Sequence, residues 1–110
     1  LLDDVRESRG VVIDSQEIWH NPPVKFDEHC IDAVREAARM LGLPHREMVS
    51  GAGHDACQVA RVVPTSMIFV PCAEGLSHNE EESATAEDLG AGCNVLLHAM
   101  LKMADAEVEA

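Results

Sequence analysis

The stretch MVSGAGHDACQVARVVPTSMIFVP, residues 48–71, decides how the chain is read. Its glycines flank Ala52, His54 and Asp55 follow, a run free of helix breakers leads to Pro64, and the apolar SMIFV comes next. Proline lacks a backbone donor, so Pro64 closes the helix predicted over residues 54–63. SMIFV, residues 66–70, is apolar almost throughout, as expected of a strand covered on both faces in a parallel sheet. With REMV, residues 46–49, as a short strand before the glycines, the order strand, helix, strand predicts an α/β layer.

Upstream, residues 11–20 are rich in β-branched side chains and stop at Asn21-Pro22-Pro23, which predicts a strand followed by a linker. The prolines are the domain boundary candidate, and residues 1–10 read as the last turns of a helix closed by Gly10. From Phe26 the period changes. Cys30, Val34, Ala37, Ala38 and Leu41 recur at helical spacing behind Asp27 as N-cap, and Gly42 and Pro44 end the run. Downstream, residues 71–84 read as a loop with Gly75 and three consecutive glutamates. Thr85 with Asp88 has the form of a capping box, and Leu89, Cys93, Leu96, Met100 and Met103 stripe a final helix to about Ala104.

A chain of 110 residues, 46% of them hydrophobic, supports one core. Twenty acidic against eight basic residues give a net charge of −12, which repels the phosphates of nucleic acids and of anionic membrane surfaces, so neither is an expected partner. The four cysteines form no C-x-x-C pair and no dense framework, which places the chain in a reducing compartment, the cytoplasm. There is no signal-peptide pattern and no apolar run of membrane-spanning length. The opening Leu1-Leu2, without Met, reads as the start of a fragment.

Several groups carry candidate chemistry. Gly51-Ala52-Gly53-His54-Asp55-Ala56 satisfies the dinucleotide pattern G-x-G-x-x-[G/A], and Glu74 lies about 20 residues on, where a ribose-binding acid would sit. The strand before it is short and polar-flanked, and the acid falls beyond a proline, so a strand-to-helix corner needing positive φ is the favoured reading of these glycines. On spacing alone Asp55 caps its helix and His54 is a half-exposed polar residue. His78, in a loop after an apolar strand, is a candidate metal ligand, and Glu82, four residues later, could hold its imidazole or its loop. Glu80, Glu81 and Glu82 otherwise form a solvated acidic run, and His98 shares the polar face of the last helix with Asn94 and Lys102. His20, His29 and His45 have no partner that spacing identifies, and no cysteine has a nucleophile's context.

Taken together, FDEHCIDAVREAARMLGLPHREMVSGAGHDA, PTSMIFVP and GLSHNEEES with ATAEDLGAGCNVLLHAMLKMA resemble the C-terminal part of the metal-dependent amidohydrolases of the M20 peptidase group. The branch they are most similar to contains N-carbamoyl-L-amino-acid hydrolases, β-ureidopropionases and allantoate amidohydrolases. The resemblance implies the C-terminal part of a three-layer α/β zinc-hydrolase-type catalytic domain, residues 22–110. It implies that residues 1–21 are the last helix and strand of an α+β lid domain that mediates homodimerisation. His78 then matches a metal-binding histidine of a two-metal site holding zinc, manganese, cobalt or nickel. Gly53, through its backbone N–H, and His54 match positions that hold the carboxylate end of a small N-carbamoyl or ureido acid. The remaining metal ligands and the general-base glutamate belong to the family's N-terminal part, so the resemblance implies no catalytic residue in this chain and no turnover by it alone. The sequence departs from the family's pattern at Cys72, where serine is usual, and at Glu80 and Ser83, where tyrosine and proline often stand. Two other readings remain at this stage: a dinucleotide-binding half-domain built on the Gly51 turn, and a structural or dimerisation piece whose site residues are idle.

Overall fold

The computed structural model describes residues 1–109, with side chains described through Asp105. Four α-helices follow one another: α1 (Leu2–Arg9), α2 (Glu28–Met40), α3 (Asp55–Val59) and α4 (Ala86–Glu109), with a single 3₁₀ turn at Ala73–Gly75 before α4.

The ends of α2 are set by residues close in sequence. The Asp27 carboxylate accepts the Cys30 N–H at 3.0 Å, satisfying one of the donors that a helix N-terminus leaves free. This bond holds the Asp27 carboxyl below its ordinary value of 3.8. At the other end Gly42 takes φ 68°, its N–H bonding to the Arg39 carbonyl and the Leu43 N–H to that of Ala38. This is the Schellman pattern, with the side chain of Leu43 folded onto the core. Gly10 ends α1 in the same left-handed region, at φ 63°. Half of the predicted capping box at α4 is present: Thr85 Oγ1 accepts the Asp88 N–H at 3.1 Å, while the Asp88 carboxylate accepts from the Thr85 hydroxyl at 2.9 Å and not from its backbone N–H. α4 continues to Glu109, past the Ala104 expected from the apolar stripe.

The core lies between α2 and α4 and is built from small side chains. Ala33, Ala37 and Ala38 of α2 meet Val95 and Ala99 of α4, and these five are the buried hydrophobic residues among those described. A spacing of four keeps Ala33 with Ala37 and Val95 with Ala99 on facing stripes, and Ala38 extends the α2 stripe beside Ala37. Ile68 packs on the edge of this cluster. Gly92 of α4 admits Val70 so closely that a Cβ built there would lie 2.6 Å from Val70 Cγ1. Lys102 of α4 pairs with Glu36 of α2, and Arg35 bridges Asp32 and Glu47.

Much apolar surface stays in water. Leu96, Leu97, Met100 and Leu101 of α4 and Val62 are each about half exposed or more. The accessible surface is 9183 Å², where a compact monomer of this mass has about 6,000 Å². The radius of gyration is 19.5 Å, against about 13 Å for a compact domain of this length. α1 buries none of its residues.

Three expectations are corrected. The strands predicted over residues 11–20, 46–49 and 66–70 are not strands: the described residues contain no β-ladder. A strand exists only through a partner, and no described segment lies alongside any of these three with its backbone groups in register. The described residues therefore form no α/β layer and present a helical pair with irregular segments against it. The helix expected over residues 54–63 shortens to α3, Asp55–Val59, after which the chain turns toward Pro64. Finally, the Gly-Ala-Gly corner needs no positive φ, because Gly51 and Gly53 both lie outside the left-handed region.

Candidate functional site

The irregular segments carry the candidate site. His54 stands immediately before α3 with φ −136° and ψ 150° and makes no side-chain capping bond, while Asp55 is the first helical residue. The expected roles are thus shifted by one position: Asp55 is not the cap, and the extended backbone of His54 frees its ring to point away from the helix. The ring turns back along the chain, its Nε2 lying 2.7 Å from Ser50 Oγ. The same hydroxyl oxygen accepts the Ala52 N–H at 3.2 Å, a local turn in which a serine side chain substitutes for a backbone acceptor.

Two more rings close on His54. Phe69 meets it edge-on with centroids 5.5 Å apart, and His78 meets it at 5.3 Å in the same tilted manner. His54 and His78, read separately in the sequence, therefore share one site with Gly53 beside them. His54 is half-buried and His78 is exposed.

The loop that presents His78 is closed across its base, where the Ala73 N–H donates to the Ser83 carbonyl at 2.7 Å. Within it His78 has φ 55° and Glu74 φ 54°, both in the left-handed region that costs a non-glycine residue of the order of 1 kcal/mol. Glu82 holds the loop in that form. One carboxylate oxygen accepts the His78 N–H at 3.3 Å, and the other accepts from the Ser77 hydroxyl at 3.3 Å and the Cys72 thiol at 3.5 Å. Glu82 thus grips the backbone of His78 and not its imidazole. Burial, and after it the Glu82 carboxylate, push the Cys72 thiol above its ordinary value.

His98 lies on α4, and the cysteines are all free. The dinucleotide pattern loses the context it needs, since no strand precedes Gly51 and the helix after it has only five residues. A helix that short also contributes little dipole to an anion at Gly53. Sequence reasoning missed Ser50, Phe69 and Cys72 as members of this cluster. Ser50 precedes His54 by four positions, yet that spacing signals contact only on a helix, and no helix joins them.

Among the described residues, no three histidine, cysteine, aspartate or glutamate side chains gather as a metal site. His78 by itself does not make one, since three or four protein ligands are the rule for a tightly held catalytic ion.

The model of peptidase family M20/M25/M40 matches residues 10–102. An N-carbamoyl-L-amino-acid amidohydrolase of Rhizobium meliloti is 48% identical over 99 residues, 90% of this chain and 24% of that protein. A ureidoglycolate hydrolase of Oryza sativa subsp. japonica is 39% identical over 101 residues, 91% of this chain and 21% of that protein. The crystal structure of an amidase of the hydantoinase/carbamoylase family from Burkholderia multivorans superposes with a TM-score of 0.81 at 54% identity, over 92% of this chain and 25% of that one. The fold of the chain is thus that of a segment of those amidases. The chain spans about a quarter of the length of the relatives it matches.

Proposed function

Since the chain belongs to peptidase family M20/M25/M40, we propose that it is the C-terminal quarter of a metal-dependent amidohydrolase that cleaves the C–N bond of a small N-carbamoyl or ureido acid. The observation that carries this reading is the convergence of His54 and His78, with ring centroids 5.3 Å apart beside Gly53. Gly53 offers a backbone N–H, and its lack of a side chain lets an anion approach. His54 offers a ring nitrogen for the substrate's carboxylate. His78, on its loop, is one ligand of a divalent metal pair, zinc, manganese, cobalt or nickel, and Glu82 fixes that loop from behind. In this reading the other metal ligands and the general base come from residues outside these 110, since among the described residues no three potential ligands gather. Such a metal pair activates water and polarises a carbonyl.

In this reading residues 22–110 complete a three-layer α/β catalytic domain. The predicted strands pair once the missing segments lie beside them, and the exposed apolar faces of α4 are covered. Residues 1–21 belong to a lid that forms a homodimer. The absence of any buried side chain in α1 supports that separation. Four free thiols suit a cytoplasmic protein.

The experiment replaces the matching quarter of the Rhizobium meliloti N-carbamoyl-L-amino-acid amidohydrolase with this chain and follows ammonia release from N-carbamoyl amino acids. A metal-loaded chimaera should turn over and should lose at least a hundredfold in kcat/KM in His78→Ala, a loss of the order expected for a missing metal contact. A folded chimaera that leaves N-carbamoyl and ureido acids intact, or one that His78→Ala does not impair, refutes the assignment. The 110-residue chain alone should release no ammonia.

A further inference from the structure

We propose that Ser50 is a positioning residue that fixes the tautomer of His54, placing the imidazole proton on Nδ1 and aiming that N–H at the substrate. A serine hydroxyl has one proton to donate and two lone pairs to accept with. At Ser50 one lone pair is taken by the Ala52 N–H at 3.2 Å. The only described acceptor within reach of the hydroxyl proton is His54 Nε2, at 2.7 Å. If Nε2 carried the proton instead, it would donate to the second lone pair of Oγ, and the hydroxyl proton would be left without an acceptor among the described protein groups. Donation from Ser50 to Nε2 satisfies both groups and leaves the neutral ring protonated at Nδ1.

Orientation follows from the same contacts. The Ala52 bond ties the serine to the Gly-Ala-Gly turn, and the edges of Phe69 and His78 restrain the ring plane from two other directions. Among the described residues no acceptor meets Nδ1, so its N–H is available to a ligand oxygen next to the Gly53 backbone. An acceptor-only oxygen, such as that of a carboxylate, fits this donor, and an ammonium group or a metal cation does not. Only this consequence rests on the reading of His54 as a carboxylate-binding residue; the tautomer itself rests on the hydrogen bonds.

Long-range proton–nitrogen correlation spectra of the nitrogen-15-labelled full chain, at a pH where imidazole is neutral, read the tautomer directly. In the wild type, His54 Nε2 should show the downfield resonance of an unprotonated ring nitrogen and Nδ1 the upfield resonance of a protonated one. Ser50→Thr, which keeps the hydroxyl, should preserve the pattern, and Ser50→Ala should shift the ring toward the Nε2–H form. A wild-type spectrum with the proton on Nε2 overturns the proposal, whether or not the alanine variant folds. So does a Ser50→Ala variant with unchanged backbone amide resonances and an unchanged imidazole. In the chimaera, Ser50→Ala should raise KM about tenfold with a smaller change in kcat, the factor carried by one hydrogen bond of ordinary strength. The predicted tautomer together with an unmoved KM would refute carboxylate binding by His54 and leave the Ser50 assignment intact.

Discussion

Replacing Gly92 with alanine sets two effects of opposite sign against each other, and their balance tests how closely residue 70 lies on α4. Alanine in a helix interior is better than glycine by about 1 kcal/mol, because glycine loses more backbone freedom on folding. At Gly92 the added Cβ would stand 2.6 Å from Val70 Cγ1, inside the distance that two carbons tolerate. Val70 is β-branched and stiff at χ1, so it cannot swing a flexible tip away, and the segment itself has to move. Overpacking of this kind costs about 1–3 kcal/mol. Gly90, in the same helix, has nothing within 4 Å of a built Cβ and supplies the control. The propensity gain is common to both positions, so the difference between Gly90→Ala and Gly92→Ala isolates the clash at about 1–3 kcal/mol. Urea unfolding followed by helical circular dichroism measures both. Gly90→Ala should raise the midpoint, and Gly92→Ala should leave it unchanged or lower it. Adding Val70→Ala should restore to Gly92→Ala most of the gain seen at Gly90, since the coupled pair would then be relieved. Equal stabilisation at the two glycines would refute the close packing of the 66–70 segment against α4.

The other expectations concern the loop and the caps. Glu82→Gln removes the charge that draws in the His78 N–H, so amide exchange at His78 should rise about tenfold, the factor set by one charge-assisted bond at an exposed position; unchanged exchange would mean that Glu82 does not hold the loop. Because the folded Asp27 carboxyl is held below 3.8 by the Cys30 N–H, its stabilising effect on α2 is complete above that value and is lost as pH falls through the lower folded one. Asp27→Ala should therefore flatten the acid limb of a stability-against-pH curve below about pH 4 and leave its shape at neutral pH unchanged. Burial and Glu82 hold the Cys72 thiol in its protonated form, so iodoacetamide should label exposed Cys93 before Cys72, as peptide mass mapping can show. Cys72→Ser, which retains a donor toward Glu82, should leave exchange at His78 unchanged, and Cys72→Ala should raise it.

The parts of the fold that were legible in the sequence are those whose cause lies within a few residues. Asp27 reaches the N–H three positions on, Gly42 supplies the left-handed turn that closes the same helix, and Thr85 exchanges bonds with Asp88. The apolar stripe located α4, and its overshoot to Glu109 reflects the lack of any breaker between Ala104 and Glu109. The predicted strands are missing for the opposite reason: β-branched composition marks a segment suited to a sheet, but the ladder needs a second segment, and none lies alongside among the described residues. The Gly-Ala-Gly turn shows both sides. Its place ahead of a helix was visible, whereas its backbone angles and the turn of His54 toward Ser50 depend on three-dimensional contacts.

By itself the sequence determined two capped helices, α2 and α4, and a resemblance to the family whose model matches residues 10–102. Only the tertiary structure decided that α2 and α4 pack through alanines, that Glu82 grips the backbone of His78, and that Ser50, His54, Phe69 and His78 share one site. The physical reason is range. A cap is closed by bonds that span three or four residues, but the meeting of His54 with His78 depends on how α3, the 66–70 segment and the loop closed by Ala73 and Ser83 return the chain to the same point in space.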